Sequence, residues 1–261
     1  MIKSILKIPI FKRLIPSLGI RILKLFNKNR GYYNINNIFF YLDFLDPVDR
    51  QIILNKEYEQ DAVNFLEDEM RKNSFSNFLD IGANSGYYSF YFTDKFKDLK
   101  IRAFEPNIDA LNKFKKTLSK NSFKNVEVFN FGLSDSERKV GIRSMIKNGF
   151  VQSNSAVLDN SHKFNQEDFE IKDAILKVGD KIFNFKNEKL CVKIDVEGHE
   201  IYTLKGFINT LDQNKCLLLI EISDSNFENV NKFLSSLGYQ NIFKSKYRSD
   251  YIYTNIQFYK I

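Results

Sequence analysis

From residue 75 onward, short apolar runs alternate with stretches in which apolar residues recur at helical spacing. The apolar runs predict strands at 75–82, 100–106, 126–132, 189–195 and 216–222. The intervening stretches predict helices near 86–97, 107–121, 198–211 and 226–237. Strands that alternate with helices are typical of a parallel sheet covered on both faces. Two alternating runs at the end, 239–246 and 251–261, flank a short polar turn and predict an antiparallel hairpin. The sequence therefore predicts an α/β fold with a doubly wound, mostly parallel sheet of seven strands that ends in this hairpin.

This pattern divides the chain into three parts. Residues 1–30 form a basic amphipathic segment, residues 31–74 a cover region with a short strand and helices, and residues 75–261 the main domain. Within the main domain, residues from about 137 to 189 form an insertion that is much longer than a simple crossover. Two runs in the insertion, "ERKVGIRSM" and "DFEIKDAIL", predict additional strands.

Charge is unevenly distributed along the chain. The net charge is +7, but residues 1–30 contain eight basic residues and no acidic one, so the other 231 residues have a net charge of −1. Leu18, Ile22, Leu25 and Phe26 recur at helical spacing among these basic residues. Two interpretations stay open: a helix that lies on the inner face of an anionic membrane, or a helix that packs on the domain with a solvated basic face.

Composition excludes several classes of protein. No run approaches the roughly 18 apolar residues of a membrane span, and basic residues interrupt every apolar stretch of the kind that a secretory signal needs. Cys191 and Cys216 lie inside apolar runs, as buried thiols do in a reducing compartment, which predicts a cytoplasmic protein. A zinc site is disfavoured because two cysteines and two histidines show no ligand spacing. His162 lies in a polar stretch and is assigned no role.

The first predicted strand of the domain ends in "LDIGANSGYYS", a motif that suits a ligand at the sheet edge. Gly82 and Gly86 let the backbone approach a ligand, and Asn84 tolerates a left-handed conformation. A dinucleotide fingerprint is poorly matched, because Asn84 stands at its second glycine and Tyr87 at its third. The motif instead suits a nucleoside with an amino-acid tail, with Asp80 near the ammonium group; a tight turn without a ligand is the alternative.

The residues at the ends of the next two strands also suit a nucleoside ligand. Glu105 ends the second strand, 25 residues beyond Asp80, close to the offset of about 20 at which a carboxylate takes a ribose diol. The third strand ends in "FNFGLSD", which places Gly132 and Ser134 beside the base. In the cover region, Tyr58 and Glu59 are expected near the amino-acid end of the ligand.

With these residues in place, the chain resembles the FkbM family of S-adenosylmethionine-dependent methyltransferases. The resemblance rests on "FLDIGANSGYYS", "AFEPN", "GLSD", "VKIDVEGHEIYTLKG" and "LLIEI", in that order over residues 78–221. It implies a Rossmann-like class I methyltransferase fold and methyl transfer, most often to a hydroxyl, on substrates that include surface polysaccharides, glycolipids and polyketides. By similarity, Asp80, Gly82, Asn84, Gly86 and Glu105 would bind S-adenosylmethionine, and the "DVEG" region would face the substrate. The basic segment maps onto no shared motif.

The "KIDVEGHE" stretch would then carry the chemistry. Methyl transfer to a hydroxyl needs an aligned acceptor and a base that removes its proton. Asp195 and Glu221 end neighbouring strands, so we expect them side by side, and two close carboxylates raise one another's pKa. Asp195 or His199 is the predicted base, His199 being kept neutral by the start of the helix, while Glu197 and Glu221 position the acceptor. The alternative is that these residues only hold the cofactor or cap the helix.

We expect the insertion to determine which acceptor binds. Its run "NGFVQSNSAV" contains Ser153, Asn154 and Ser155, which we predict to contact the substrate. The predicted function is O-methylation of a saccharide hydroxyl in polysaccharide or glycolipid biosynthesis, and the partner is a small-molecule or glycan acceptor. Other small molecules or an amine stay open as acceptors. A nucleic-acid substrate is disfavoured because the body of the chain is not basic. A non-enzymatic module is disfavoured because Asp80, Gly82, Gly86, Glu105 and Asp195 are all present.

Overall fold

The computed structural model describes residues 29–147, 150–158, 165–246 and 248–256. Residues 1–28, which make up nearly all of the predicted basic segment, lie outside these ranges, and so does His162. Within the described ranges, no helix is long and apolar enough to cross a membrane.

A seven-stranded sheet forms the centre of the domain, in the order β12–β13–β11–β10–β3–β4–β5. Its strands are β3 (Asn77–Ile81), β4 (Lys100–Phe104), β5 (Val126–Phe129), β10 (Lys189–Ile194), β11 (Lys215–Glu221), β12 (Gln240–Lys244) and β13 (Asp250–Thr254). The pairs from β5 to β11 are parallel, whereas β13 runs antiparallel to both β11 and β12. The predicted α/β fold with its antiparallel C-terminal hairpin is therefore confirmed.

Helices cover the two faces of this sheet. They are α1 (Pro47–Asn55), α2 (Gln60–Asn73), α3 (Tyr87–Lys95), α4 (Ile108–Asn121), α5 (Gly179–Ile182), α6 (Glu200–Lys205), α7 (Ile208–Gln213) and α8 (Asp224–Ser236). The buried side chains form two clusters: one includes residues of α2, α3 and α4, and the other includes residues of α6, α7 and α8. Strands β3 and β10 are buried along almost their whole length, as expected for central strands with both faces covered.

Two smaller sheets flank the ligand edge of the large one. A hairpin of β1 (Arg30–Ile35) and β2 (Ile38–Asp43) precedes α1. The insertion forms a four-stranded sheet in the order β6–β9–β7–β8, from β6 (Gly132–Leu133), β7 (Arg138–Lys147), β8 (Phe150–Val157) and β9 (Phe169–Lys177). The two strands predicted in the insertion correspond to β7 and β9, and the polar run with Ser153 forms the edge strand β8 rather than a loop.

The helix predicted over 198–211 is wrong as a single element, because the chain forms two short helices, α6 and α7, that are interrupted at Gly206 and Phe207. Gly206 lies against the segment after β5, where an added Cβ would be only 2.1 Å from the carbonyl oxygen of Ser134. Phe207 is buried and packs into the core. Close backbone packing and a buried aromatic ring outweigh the local helical pattern.

Candidate functional site

The turn after β3 has a backbone that few residues other than glycine adopt. Gly82, Asn84 and Gly86 all have positive φ angles, of 77°, 50° and 89°. A Cβ on Gly82 would lie 1.8 Å from the carbonyl oxygen of Asp195, so the turn packs directly on the backbone after β10. The turn forms one wall of a cleft, and both its shape and its contact with β10 require glycine at position 82.

Glu105 holds this turn in place from the end of β4. Its carboxylate accepts hydrogen bonds from the backbone N–H of Asn84 at 2.7 Å and of Asn107 at 2.7 Å. Burial raises the pKa of Glu105 to about 7, although these two hydrogen bonds oppose the shift. Glu105 also lines the cleft, so its remaining lone pairs can accept from a ligand hydroxyl pair.

The cleft has a polar end and an apolar end. Near Glu105 its wall is apolar and is made by Pro106, Leu133, Ile142, Val157 and Leu176. At the other end it is lined by Tyr58, Tyr88, Lys193 and Asp195. Its space is about 880 Å³, including the open mouth. A glycine-lined turn, a carboxylate and an apolar slot fit a nucleoside, and a charged end fits an amino-acid tail.

Lys193 is the cation at the polar end, and it is 95% buried. Its ammonium donates to the carbonyl oxygen of Gly82 at 3.2 Å and to Asp195 Oδ2 at 3.1 Å, and lies 3.9 Å from Asp80 Oδ1. Burial acts to lower the pKa of Lys193, but the carboxylates of Asp195 and Asp80 outweigh it and raise the pKa. Lys193 therefore stays charged and fixes Asp195 against the turn.

Asp80 does not line the cleft. It is 1% exposed, its Oδ2 accepts from the N–H and the hydroxyl of Ser89, and its Oδ1 has no hydrogen-bond partner among the described residues. Lys193, which does line the cleft, is the cation beside it. The ammonium group that faces Asp80 in this arrangement is thus that of Lys193, whereas the sequence predicted that of the ligand.

Asp195 and Glu221 lie side by side, as predicted, because β10 and β11 pair in parallel with Ile194 opposite Ile220. The charge of Asp195, with burial second, raises the pKa of Glu221 to about 9. Asp250 faces Glu221 from β13, and burial raises its pKa to about 7. At neutral pH, Glu221 therefore holds a proton.

A polar bridge crosses the mouth of the cleft. Asn84 Nδ2 donates to Asn154 Oδ1 at 3.1 Å, and Asn154 Nδ2 donates to Glu197 Oε1 at 2.6 Å. Burial and the nearby charge of Asp195 raise the pKa of Glu197 to about 7. The bridge joins the turn after β3, the insertion strand β8 and the turn after β10, so it limits passage through the mouth.

The neighbours of Asn154 hold β8 in position. Asn107 Nδ2 donates to Ser155 Oγ at 2.7 Å, and the N–H of Ser153 donates to Asp46 Oδ2 at 2.8 Å. Asp46 also caps α1 by accepting from the N–H groups of Val48 and Asp49. The hydroxyl of Ser153 is buried without a partner in the described residues, and all three predicted substrate residues line the cleft.

His199 contacts Ser134 rather than the acidic pair. Its Nε2 lies 2.9 Å from Ser134 Oγ, and its ring stacks on Tyr202. Burial, with Arg138 second, lowers the pKa of His199 to about 4, so the imidazole is neutral at physiological pH. Burial accounts for this shift in the structure, whereas the sequence attributed the neutral ring to the start of the helix.

Glu59 lies behind the polar end. It accepts from Tyr88 Oη at 2.8 Å and from Arg248 Nη1 at 2.6 Å, and the guanidinium of Arg248 also covers the ring of Tyr58. Burial raises the pKa of Glu59, with a further contribution from Asp195. Tyr87 lines the cleft and accepts from the N–H of Tyr58 at 3.1 Å. The cover region and the C-terminal hairpin thus meet beside the cleft.

Most of the residues predicted from the sequence come together here. Those that line the cleft are Gly82, Asn84, Tyr87, Glu105, Gly132, Ser153, Asn154, Ser155, Asp195, Glu197 and His199. Those that support it from behind are Glu59, Asp80, Gly86, Ser134 and Glu221. Sequence reasoning gave no role to Lys193, Tyr88, Arg248 or Asp250. Lys193 had a signal, a lone lysine inside the apolar run "LCVKI".

One protein family and several solved structures are similar to this chain. The family model described as the methyltransferase FkbM domain matches residues 80–240. No curated protein matches the sequence. Among solved structures, an rRNA methylase from Streptococcus thermophilus is 12% identical, with a TM-score of 0.42, over 74% of this chain and 92% of that one. The precorrin-6y C5,15-methyltransferase of Geobacter metallireducens GS-15 is 15% identical, with a TM-score of 0.43, over 76% and 88%. TYW2 of M. jannaschii, in complex with AdoMet, is 12% identical, with a TM-score of 0.40, over 87% and 84%. No residue role or substrate is transferred from these weak likenesses.

Proposed function

Since the chain belongs to the FkbM methyltransferase family, we propose that it transfers the methyl group of S-adenosylmethionine to a hydroxyl of a saccharide in a surface polysaccharide or glycolipid. One observation carries this proposal: Asp195 lines the polar end of the cleft and lies beside Glu221 at the ends of two paired parallel strands. A hydroxyl keeps its proton at neutral pH, so its methylation needs a base beside the reacting oxygen, and the carboxyl group of Asp195 is in that place.

The cofactor is S-adenosylmethionine, and the cleft suits each of its parts. Gly82 and Glu105 would hold the ribose, the apolar wall with Leu133 and Leu176 would hold the adenine, and Lys193 would attract the methionine carboxylate. When bound, S-adenosylmethionine supplies an electrophilic methyl group on its sulfonium.

Asp195 would accept the hydroxyl proton as the acceptor oxygen takes the methyl group. Lys193 orients this carboxyl group, because its ammonium lies 3.1 Å from Asp195 Oδ2. Glu221, protonated at neutral pH, occupies the other side of Asp195. His199 is neutral as well, but its hydrogen bond to Ser134 places it with the segment after β5, so Asp195 is the base that we propose.

The mouth of the cleft supports a hydroxyl-rich acceptor. Glu197, Asn154 and Ser153 present carboxylate, amide and hydroxyl groups there. These are groups that donate to and accept from sugar hydroxyls. A nucleic-acid acceptor receives no support, because the chain beyond residue 30 has a net charge of −1. We also propose a cytoplasmic location, with free, buried Cys191 and Cys216 in support.

The test is to incubate the purified protein with S-adenosylmethionine labelled in its methyl group and an extract of the source cells. Label is then counted in the saccharide, lipid, RNA and protein fractions, with the Asp195→Asn variant giving the background. We expect label in saccharide or lipid-linked saccharide, in a form that resists hydrolysis as a methyl ether does. Label in RNA or protein alone would overturn the proposed acceptor class. No label in any fraction from a protein that binds the cofactor would overturn methyl transfer to these acceptors.

A further inference from the structure

Three carboxyl groups form a row along the edge of the sheet beyond the cofactor cleft. Asp195 follows β10, Glu221 ends β11, and Asp250, which is paired with Glu221, begins β13. Neighbouring strands lie about 4.8 Å apart, so the row extends about 10 Å from the cleft. Asp195 lines the cleft, whereas Glu221 and Asp250 do not. The outer two carboxyls are therefore placed to meet an acceptor rather than the cofactor.

The two cations near this row are already engaged. Lys193 is held by Asp195 and the Gly82 carbonyl, and Arg248 is held by Glu59 and covers the ring of Tyr58. In the part of the chain that the structure describes, neither Glu221 nor Asp250 forms an ion pair. Asp250 is only 2% exposed, and its Oδ2 is buried without any hydrogen-bond partner there. A buried carboxylate oxygen without a hydrogen bond destabilises the folded state. We therefore interpret Asp250 Oδ2 as a position that a ligand can bind.

Glu221 and Asp250 have no ion-pair partner among the described residues, although the charges of Arg248 and Lys193 act on Asp250 and oppose its pKa shift. The pKa of Glu221 is raised to about 9 by Asp195 and burial, and that of Asp250 to about 7 by burial and Glu59. Protonation of Glu221 and Asp250 therefore neutralises charge that a bound cation would otherwise balance. Within the described ranges, no three acidic, histidine or cysteine side chains are arranged to hold a metal ion. The missing charge is thus best supplied by an organic cation.

We propose that the acceptor saccharide carries a protonated amino group, whose ammonium is bound by Glu221 and Asp250 while a hydroxyl of the same sugar lies against Asp195. This inference rests on the proposed function. One sugar ring can span the spacing between neighbouring strands. The ammonium keeps its protons and is not methylated; the hydroxyl oxygen bonds to the methyl carbon, the carbon–sulfur bond breaks, and the hydroxyl proton passes to Asp195.

The test compares two probes with the same sugar backbone, the tetrasaccharide of glucosamine, which carries ammonium groups, and its fully N-acetylated counterpart, which carries neutral acetamides. Binding of each is measured by calorimetry with S-adenosylhomocysteine present, and labelled methyl transfer to each is measured separately. We expect the amino form to bind at least about tenfold more tightly, equivalent to about 1.4 kcal/mol, and to receive the methyl group on oxygen, as located by mass spectrometry. Equal or tighter binding of the acetylated form, no binding of either probe, or methylation on nitrogen would each overturn the inference.

Variants of Glu221 and Asp250 test whether these residues cause the preference for the amino form. Asp250→Asn is expected to abolish the preference for the amino form while the dissociation constant of S-adenosylhomocysteine stays within about threefold. Glu221→Gln should also reduce the preference, which covers the case that one variant fails to fold. Glu228→Gln, on the exposed face of α8, is the matched control and should keep the preference. A preference that survives Asp250→Asn would overturn the inference.

Two further outcomes separate this inference from others. If Asp250→Asn weakens the binding of S-adenosylhomocysteine more than tenfold, the row of carboxyl groups binds the amino group of the cofactor, and the inference is wrong. If extract labelling yields methylated saccharides without amino groups and the glucosamine probe does not bind, this inference fails while the proposed function stands. Label confined to RNA or protein would instead remove the proposed function itself.

Discussion

The cofactor end and the acceptor edge of the cleft lie side by side but are built in opposite ways. At the cofactor end, the Glu105 carboxylate is held by two backbone N–H groups, and the turn at Gly82 packs directly on the backbone after β10. At the acceptor edge, Glu221 and Asp250 face each other, and one oxygen of Asp250 has no partner among the described residues. The first end is held by backbone contacts within the protein, whereas the outer carboxyls of the second have no ion-pair partner among the described residues.

This difference indicates which end is preorganised and which needs its ligand. Backbone groups at the cofactor end are fixed by the sheet, so a ligand there meets donors and acceptors already in place. The carboxyls of the acceptor edge instead share protons, and their arrangement is completed by what binds there.

Asp195→Asn should have the largest effect, because it removes the proposed base and leaves its shape. We expect turnover to fall by about 10³-fold, while the dissociation constant of S-adenosylhomocysteine changes by no more than about threefold. The measurement is kinetics on the acceptor found by extract labelling, together with calorimetry. Glu228→Gln is the control. Unchanged turnover would remove Asp195 as base, and loss of cofactor binding would move Asp195 to the cofactor end.

Gly82→Ala should damage the cofactor end through its backbone. An added Cβ would lie 1.8 Å from the Asp195 carbonyl oxygen at a φ of +77°, so we expect the free energy of unfolding to fall by about 3 kcal/mol. Gly198→Ala is a matched control with a φ of +99° and no atom within 4 Å of the added Cβ, and it should cost only about 1 kcal/mol. Urea denaturation measures both. Equal losses would show that strain alone, without overlap, governs this turn.

Glu105 gives the cofactor end a predictable response to pH. Burial raises its pKa to about 7, so the carboxylate is lost as pH falls through 7, and the ligand hydroxyls then lose an ionised acceptor. We expect cofactor affinity to drop by up to about tenfold from pH 8 to pH 6. Calorimetry with S-adenosylhomocysteine measures this affinity. The Glu105→Gln variant should bind S-adenosylhomocysteine about tenfold more weakly at pH 8, and its affinity should change less with pH. Glu127→Gln, exposed on neighbouring β5, should match the wild type. A wild-type affinity that is constant with pH would exclude Glu105 as the ribose acceptor.

Asn154→Ala should have the smallest effect, because it removes an exposed bridge rather than a buried contact. The bridge from Asn84 to Glu197 closes the mouth of the cleft, so its loss should speed dissociation of S-adenosylhomocysteine by about threefold with little change in stability. Stopped-flow fluorescence measures this rate. Gln152→Ala, two residues earlier on β8, serves as control. A dissociation rate that does not change would show that the bridge is no barrier at the mouth.

Much of the cofactor end could be predicted from the sequence. Gly82, Asn84 and Glu105 follow the first two strands of the domain, and their spacing reflects local rules: strand, turn, helix, strand. Asp195 and Glu221 could be placed side by side because neighbouring parallel strands end at the same edge of a sheet. The position of Asp80 could not be predicted, since it depends on the side chain of Lys193 from a strand more than 100 residues later.

Sequence alone is enough to predict the α/β order of elements, the glycine-lined turn and the acids at the strand ends, because each depends on short-range spacing that local geometry enforces. Which charges meet depends on how distant parts of the chain pack together. Arg248 reaches Glu59 across 189 residues, Asn154 reaches Glu197 across 43, and Asp250 meets Glu221 through the register of an antiparallel pair. Such contacts depend on the order of strands in the sheet and on how the insertion packs against it. Together they set the net charge at the acceptor edge.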